Sequence, residues 1–74
     1  MSDFLPHQER VIDEMQNLEE KISALARFFN TKTYENLPDD EAFRLRIQST
    51  FMEGYLRVLI QRVRAFKSNQ IGNL

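Results

Sequence analysis

The stretch FMEGYLRVLIQRVRAF, residues 51–66, carries apolar side chains in two adjacent helical rows. The first row follows a four-three repeat that begins upstream of the stretch: Leu45, Ser49, Met52, Leu56, Leu59, Val63 and Phe66. The second row lies beside it: Ile47, Phe51, Tyr55 and Val58. At about 100° per residue, the two rows cover roughly 200° of a helix, about twice the apolar stripe of a surface helix. The pattern predicts a helix from about 40 to 68 that one partner helix cannot cover.

A first partner is predicted upstream, over residues 6–29. Its apolar residues are spaced as the seam of an antiparallel hairpin: Val11, Met15, Leu18, Ile22, Leu25 and Phe29. Pro6 suits the first helical position, where a backbone N–H is not needed. Asn30 is a candidate left-handed cap at the other end. The sequence therefore predicts an all-α protein built on an antiparallel two-helix hairpin.

The connection at 30–38 is predicted to hold a short helical turn, with Tyr34 and Leu37 packed against the end of the hairpin. Pro38 stops that turn, and Asp39 or Asp40 is expected to cap the second helix. With 74 residues, the chain makes one domain at most, assigned to 1–74. Residues 1–5 and 69–74 are expected to be flexible ends.

Composition excludes several classes of function. The chain has no cysteine, one histidine and two glycines, so catalytic thiols, histidine-rich metal sites and glycine-rich phosphate loops lack their residues. Paired carboxylates are sequence neighbours, which point in different directions on a helix. No apolar run reaches the roughly 18 residues of a membrane span, and no secretory leader is recognisable. We expect a cytoplasmic, non-enzymatic protein without cofactor or metal.

Charge divides the chain into two halves. Residues 1–41 hold ten acidic residues against four basic, a net charge of −6, and residues 42–74 hold six basic against one acidic, a net charge of +5. An acidic helix that attracts an antiparallel basic helix accounts for this division. The alternative is that some arginines face an anionic ligand. Duplex nucleic acid is disfavoured, because the acidic first helix would repel phosphates.

The arginines of the second helix fall into two groups by angle. Arg46, Arg57 and Arg64 share a line with Glu53, which is typical of a solvated face. Arg44 and Arg62 point in the direction of the second apolar row, where a buried guanidinium needs an acceptor. They form either intersubunit salt bridges to acids of the first helix or a site for a bound anion. In the second case Tyr55 or Phe51 stacks on a base while an arginine holds phosphate.

Two further features leave alternatives open. His7 is either a solvated residue of the first turn or a donor to a phosphate at that helix N-terminus. Gly54 costs about 1 kcal/mol against alanine inside a helix. It permits either close backbone approach at an interface or space for a ligand. Since the second row has no partner within a hairpin, we expect a homo-oligomer whose interface is formed by Ile47, Phe51, Tyr55 and Val58.

Two segments resemble a known group of proteins. They are Leu5-Pro6-His7-Gln8-Glu9-Arg10-Val11, with Glu14 one turn on, and Met52-x-x-Tyr55-x-x-x-Leu59-x-x-Arg62-Val63-x-x-Phe66. Both are similar to small helical-hairpin proteins of tailed phages and prophages, the crAss-phage-related family. The resemblance spans residues 5–66 and implies a phage origin, an α-hairpin and a location in the host bacterial cytoplasm.

In layout, the chain also resembles the hairpins of anti-CBASS and anti-Thoeris proteins. Those phage sponges oligomerise and sequester cyclic nucleotide or cyclic ADP-ribose immune signals between subunits. The resemblance implies that Tyr55 and Arg62 bind the ligand, with Arg44 on the same face and His7, Gln8 and Arg10 contributed by a neighbouring subunit. The expected function is therefore sequestration of a small anionic nucleotide signal. The alternative is a module that docks a host or virion protein through its apolar stripe.

Overall fold

The computed structural model of the protein describes residues 4–72. They form two long helices, α1 (Pro6–Phe28) and α3 (Asp39–Gly72), with the one-turn helix α2 (Lys32–Glu35) between them. No strand occurs within this part of the chain. The predicted all-α class and helical hairpin are confirmed, including the short helical turn in the connection. How copies of the chain assemble stays a prediction.

The core lies along the seam between α1 and α3. Val11 and Leu18 of α1 are buried against Leu59 and Val63 of α3, and Leu59 is completely inaccessible to solvent. Partly buried side chains extend this core on both sides: Ile12, Met15, Ile22, Met52, Leu56 and Phe66. The predicted seam of α1 is therefore confirmed from Val11 to Ile22, and the first apolar row of α3 from Met52 to Phe66, as residues that join the two helices.

Local interactions at the ends of α1 differ in part from expectation. Pro6 opens the helix, as predicted, and the side chain of Gln8 accepts a 2.9 Å hydrogen bond from the backbone N–H of Leu5. The prediction of a left-handed cap at Asn30 is wrong, because no non-glycine residue among residues 4–72 has a positive φ. Instead, the amide of Asn30 donates to the Ala26 carbonyl at 3.4 Å. A side-chain hydrogen bond thus reaches a terminal carbonyl without a change of handedness.

Helix α3 begins and ends outside the predicted limits. It begins at Asp39, and the Pro38 carbonyl accepts a 3.0 Å hydrogen bond from the Ala42 N–H, so Pro38 rather than an aspartate precedes the helix. Asp40 still occupies a free backbone donor, because its carboxylate accepts from the Glu41 N–H at 2.9 Å. At the other end, residues 69–72 continue the helix to Gly72 instead of leaving it at 68. Residues 1–3 and 73–74 of the predicted flexible ends lie outside the described residues.

The unequal lengths of the helices determine which surfaces remain uncovered. At 1.5 Å per residue, α1 is about 34 Å long and α3 about 51 Å. Helix α1 can therefore cover only one side and part of the length of α3. Within residues 4–72, no helix is both long enough and apolar enough to cross a bilayer.

Candidate functional site

A row of apolar side chains on α3 is left exposed by α1 in the described part of the chain. We call this row the open stripe; it consists of Phe43, Ile47, Phe51, Tyr55 and Val58. Phe51 is 73% exposed and Val58 is 50% exposed. Scattered exposed apolar residues are ordinary, but a continuous row along one helix face is typical of an interaction surface. The open stripe contains every residue that the sequence assigned to an oligomer interface, and α1 leaves all of them accessible.

Tyr55 is fixed in place by the other helix. Its hydroxyl donates a short hydrogen bond to the Glu14 carboxylate of α1, although 45% of the residue remains exposed. This hydrogen bond raises the pKa of Tyr55 above its ordinary value of 10.0, and partial desolvation and the negative charge of Glu14 act in the same direction. The Tyr55 ring is therefore oriented by α1 and remains accessible from the open stripe.

Arg62 lies two helical turns beyond Tyr55 on the same face. Its positive charge lowers the pKa of Tyr55, against the effect of Glu14, so the two side chains are close enough to interact electrostatically. Arg62 is exposed and forms no ion pair with any of residues 4–72. The structure thus brings together Tyr55, Arg62 and Glu14, the last of which the sequence analysis did not assign to the site.

Arg44 shares the angular position of Arg62 but lies far from it. The 18 residues between them correspond to about 27 Å along α3. Its guanidinium pairs with Asp40 at 3.5 Å and with Glu41 at 3.1 Å, and 60% of the side chain is exposed. A single chain therefore does not unite Arg44 with Tyr55 and Arg62, and its ionic partners lie on its own helix rather than on α1.

The three residues proposed from the first turns of α1 are also separate from Tyr55. His7 and Arg10 are exposed, and Gln8 is half-buried and engaged with the Leu5 backbone. Among the described residues, none of the three forms a hydrogen bond to Tyr55 or Arg62. A single chain therefore does not bring His7, Gln8 and Arg10 to Tyr55 and Arg62, and Gln8 instead binds the Leu5 backbone.

A second aromatic–arginine cluster, which the sequence analysis missed, closes the hairpin at its loop end. The Arg46 guanidinium lies 4.7 Å from the centre of the Phe29 ring and 5.4 Å from that of Tyr34. Its Nε donates a 2.8 Å hydrogen bond to the Tyr34 hydroxyl, and Tyr34 packs edge-to-face on Phe28 and Phe29. Arg46 is exposed, as expected of a solvated face, but its guanidinium also contacts these rings, which the sequence did not predict. The sequence did contain a hint of this contact. Tyr34 lies only a few residues before α3, and Arg46 lies in the first turns of α3, so the two residues are at the same end of the hairpin.

The described part of the chain has shallow clefts on its surface, and the two best defined are lined by neither Tyr55 nor Arg62. One, of about 330 Å³, lies beside the Arg46 cluster and is lined by Ile22, Ala26, Phe29, Arg46, Ser49, Thr50 and Glu53. The other, of about 350 Å³, lies near the start of α1 and is lined by Phe4, Glu9, Ile12 and Asp13. No group of three or more histidine and carboxylate side chains suited to a metal forms within residues 4–72. A ligand at Tyr55 would rest on an open face rather than in either cleft.

Gly54 lies at the edge of the open stripe, between Phe43 and Ile47 in angle at about 100° per residue. A Cβ built on Gly54 would meet no atom within 4 Å, so packing inside the hairpin does not require a glycine there. Tyr55 contacts Glu14, which places Gly54 roughly level with Met15, as an antiparallel register predicts. The helix-weakening residue thus faces space that only something outside this chain can fill.

Comparison with known protein families identifies the chain's relatives. The family model described as Sequestin matches residues 5–65, and the chain therefore belongs to the Sequestin family. No curated protein and no solved structure matches the chain. The matched region includes α1, α2 and the part of α3 that carries Tyr55 and Arg62. A relation to the crAss-phage hairpin proteins stays a prediction.

Proposed function

We propose that this Sequestin-family protein binds a small anionic nucleotide signal, of the cyclic nucleotide or cyclic ADP-ribose type, between subunits and so withholds it from its receptor. The family name refers to sequestration, which supports binding without turnover. The observation that carries the proposal is the exposed Tyr55 ring on the same face of α3 as Arg62, an arginine about 10 Å farther along the helix with no ionic partner among the described residues. A ring and a guanidinium at this spacing suit a base and a phosphate.

The charges at the site give the ligand an orientation. Glu14 holds the Tyr55 hydroxyl, and its carboxylate repels an anion near that end of the ring. Arg62, two turns away, attracts one. A nucleotide would therefore stack its base on Tyr55 and direct its phosphate toward Arg62. Arg44, His7, Gln8 and Arg10 can take part only from a neighbouring copy, because the single chain leaves them apart from Tyr55.

The proposal places the protein in a phage or prophage that counters host defence. Its site of action would be the cytoplasm of the host bacterium, where such signals are made. No residue is assigned a catalytic role, so one ligand is expected per site, without product. Its effect would scale with the amount of protein, since a sequestering protein must match its ligand in number.

Calorimetric titration with cyclic dinucleotides, cyclic trinucleotides and cyclic ADP-ribose isomers tests this proposal. We expect one class to bind and to raise the melting temperature, because a ligand present at 100 times its Kd stabilises the folded state by about 2.7 kcal/mol. Arg62→Ala should remove the response, whereas Arg57→Ala, at another exposed position of α3, should preserve it. Heat denaturation should release the ligand chemically intact, as chromatography can show. No response to any of these compounds, or release of an altered product, contradicts sequestration.

A second function is favoured by the open stripe itself. Five apolar side chains in a row, with Phe43 66% exposed and Phe51 73% exposed, suit a groove or helix of a host or virion protein. In that case, the protein would be a helical interaction module without a small ligand. Phe51→Asp should then abolish capture of the partner, and Arg62→Ala should leave capture intact. For nucleotide binding, Arg62→Ala is instead the variant expected to abolish binding.

A further inference from the structure

The cleft beside Arg46 is separate from the site at Tyr55. It has a volume of about 330 Å³ and lies between the end of α1 and the N-terminal half of α3. We call it the loop-end cleft; its lining comprises Ile22, Ala26, Phe29, Arg46, Ser49, Thr50 and Glu53. Apolar residues line it on the α1 side, and polar residues line it on the α3 side. A cleft of this volume, with a few polar groups opposite an apolar wall, suits a small organic ligand.

One end of the loop-end cleft holds a guanidinium whose orientation is already set. Arg46 lies 4.7 Å from the centre of the Phe29 ring, and its Nε donates a 2.8 Å hydrogen bond to the Tyr34 hydroxyl. Its two terminal nitrogens have no hydrogen-bond or ionic partner among residues 4–72. Because a guanidinium held in this way loses little freedom when it binds a carboxylate, this end of the cleft suits an anionic group.

A carboxylate without a partner lies farther along the same wall. Glu53 is exposed and forms no ion pair within residues 4–72, not even with Arg57 one turn away. Side chains of a helix lean toward its N-terminus, so Glu53 leans toward Ser49 and the middle of the cleft. The half-buried Ser49 hydroxyl also has no hydrogen-bond partner among the described residues. This end of the cleft therefore suits a positively charged hydrogen-bond donor.

Seven residues separate Arg46 from Glu53, which is about 10 Å along α3 and too far for an ion pair between them. We infer that the loop-end cleft binds a small zwitterion, with its carboxylate at Arg46 and its ammonium group at Glu53. The methylene groups of the ligand lie against Ile22 and Ala26. A hydrogen bond of about 3 Å at each end leaves about 4 to 5 Å between the two charged groups of the ligand. At about 1.25 Å per bond of an extended chain, that distance is three or four bonds, the length of β-alanine or γ-aminobutyrate.

The two separated charges favour a zwitterion over a simple ion. A carboxylate without an amine leaves Glu53 unused, and an amine without a carboxylate leaves Arg46 unused. A molecule with both groups forms both ionic contacts, while its translational freedom is lost only once. A nucleotide fits less well, because the Phe29 ring is already in contact with Arg46 and Tyr34 and so is not available to a base. The inference therefore goes beyond the proposed function and shares no residue with it.

Nuclear magnetic resonance titration of the unmodified chain with ω-amino acids of increasing length tests this inference. The series is glycine, β-alanine, γ-aminobutyrate, δ-aminovalerate and ε-aminocaproate. We expect β-alanine or γ-aminobutyrate to bind most tightly, with a Kd on the order of 1 mM, an ordinary affinity for about seven non-hydrogen atoms. Glycine cannot reach both charges and should bind about tenfold more weakly. The Arg46 Nε–H signal and the amide signals of Ser49 and Glu53 should shift, whereas those of Tyr55 should not.

Single-charge analogues and matched variants identify the cause of binding. Butyrate and butylamine, which each carry one of the two charges, should bind about tenfold more weakly than γ-aminobutyrate. Glu53→Gln should weaken γ-aminobutyrate to the level of butyrate, and Glu20→Gln, at an exposed position of α1 outside the cleft, should leave its Kd unchanged. Circular dichroism checks that both variants remain helical.

Four outcomes would overturn the inference. They are an affinity that does not depend on chain length, equal binding of butyrate and γ-aminobutyrate, an unchanged Kd in Glu53→Gln, and signal shifts that are absent or confined to residues outside the loop-end cleft. Equal binding of butyrate would show that Arg46 binds an anion without help from Glu53. Failure of every nucleotide to bind at Tyr55 would contradict the proposed function and leave this inference intact.

Discussion

The loop end of the hairpin and the open stripe each pair a tyrosine with an arginine, and their surroundings differ. At the loop end, Arg46 donates to the Tyr34 hydroxyl and lies on the Phe29 ring, so each aromatic ring has a partner within the chain. At the open stripe, the Tyr55 hydroxyl donates a hydrogen bond to Glu14 of α1 rather than to an arginine. Arg62 has no ion pair among residues 4–72. The presence of a tyrosine and an arginine together therefore does not by itself indicate a ligand site. What indicates one at the open stripe is that the Arg62 guanidinium has no ionic partner there and that the Tyr55 ring is accessible.

The core and the open stripe should differ most in the free energy of unfolding. Leu59 is the fully buried side chain of the core, so we expect Leu59→Ala to cost about 2 to 5 kcal/mol through lost burial and the cavity left behind. Phe51→Ala removes a larger side chain that the hairpin leaves exposed. Its cost should depend on chain concentration and fade on dilution. Urea unfolding followed by circular dichroism at several concentrations measures both. An equal and concentration-independent loss in both variants would contradict the contrast.

The two arginines provide the next comparison. Arg46→Ala should lower the free energy of unfolding by about 1 to 2 kcal/mol, the sum expected from an exposed cation–π contact and one hydrogen bond. Arg62→Ala should leave unfolding of the separated chain nearly unchanged and remove the thermal response to a nucleotide ligand. Urea unfolding and ligand-dependent melting, applied to both variants, separate these roles. If Arg62→Ala unfolds the chain as strongly as Arg46→Ala, Arg62 has a structural role within the hairpin.

What the sequence predicted well depends on repetition along a helix. The seam of α1 and the first row of α3 recur at fixed spacing, so Val11, Leu18, Leu59 and Val63 could be assigned to the core without knowledge of the fold. The second apolar row of α3 could be recognised in the same way. Because α1 cannot cover both rows, the second row was expected to be exposed in a single chain, and it is. Such patterns are averages over many residues, which makes them robust.

What the sequence did not predict depends on single contacts between distant segments. Arg46 and Arg57 occupy similar positions in the helical pattern, and only the path of the loop brings Tyr34 and Phe29 to Arg46. Glu14 looked like an ordinary acid near a helix start until the antiparallel register placed it at Tyr55. The end of α3 was placed at 68 because apolar periodicity stops there, yet the backbone continues as a helix to Gly72.

The effect of Gly54→Ala on the free energy of unfolding should depend on whether the chain is dissociated or assembled. We expect Gly54→Ala to raise the free energy of unfolding of the dilute, dissociated chain by about 1 kcal/mol, because alanine favours the helix and its Cβ meets no atom. If the chain assembles through the open stripe as the sequence predicts, the gain should be smaller in concentrated protein, since Gly54 lies at the edge of that interface. Urea unfolding across a concentration series measures the difference. An equal gain at all concentrations would show that nothing approaches Gly54.

The smallest expected effect is a change in the pKa of Tyr55. Different variants should change this pKa in opposite directions. The protein has two tyrosines, so Tyr34→Phe leaves Tyr55 as the only phenol, whose ionisation is followed by ultraviolet absorbance. We expect its pKa to lie above 10.0, chiefly because the hydrogen bond to Glu14 favours the neutral phenol. Since the folded-state pKa is raised, the stability contributed by this bond is present below about pH 10, the pKa of an unfolded tyrosine, and is lost as pH rises through the folded value.

Two further variants in the Tyr34→Phe background separate the causes of that shift. Glu14→Gln keeps an acceptor oxygen but removes the negative charge, so the pKa of Tyr55 should fall toward 10.0. Arg62→Ala should move the pKa of Tyr55 further upward, because the arginine charge now lowers it. Circular dichroism below the transition confirms that each variant remains helical. If Arg62→Ala leaves the titration unchanged, the guanidinium is not near the phenol, and the proposed base-and-phosphate site loses the proximity on which it depends.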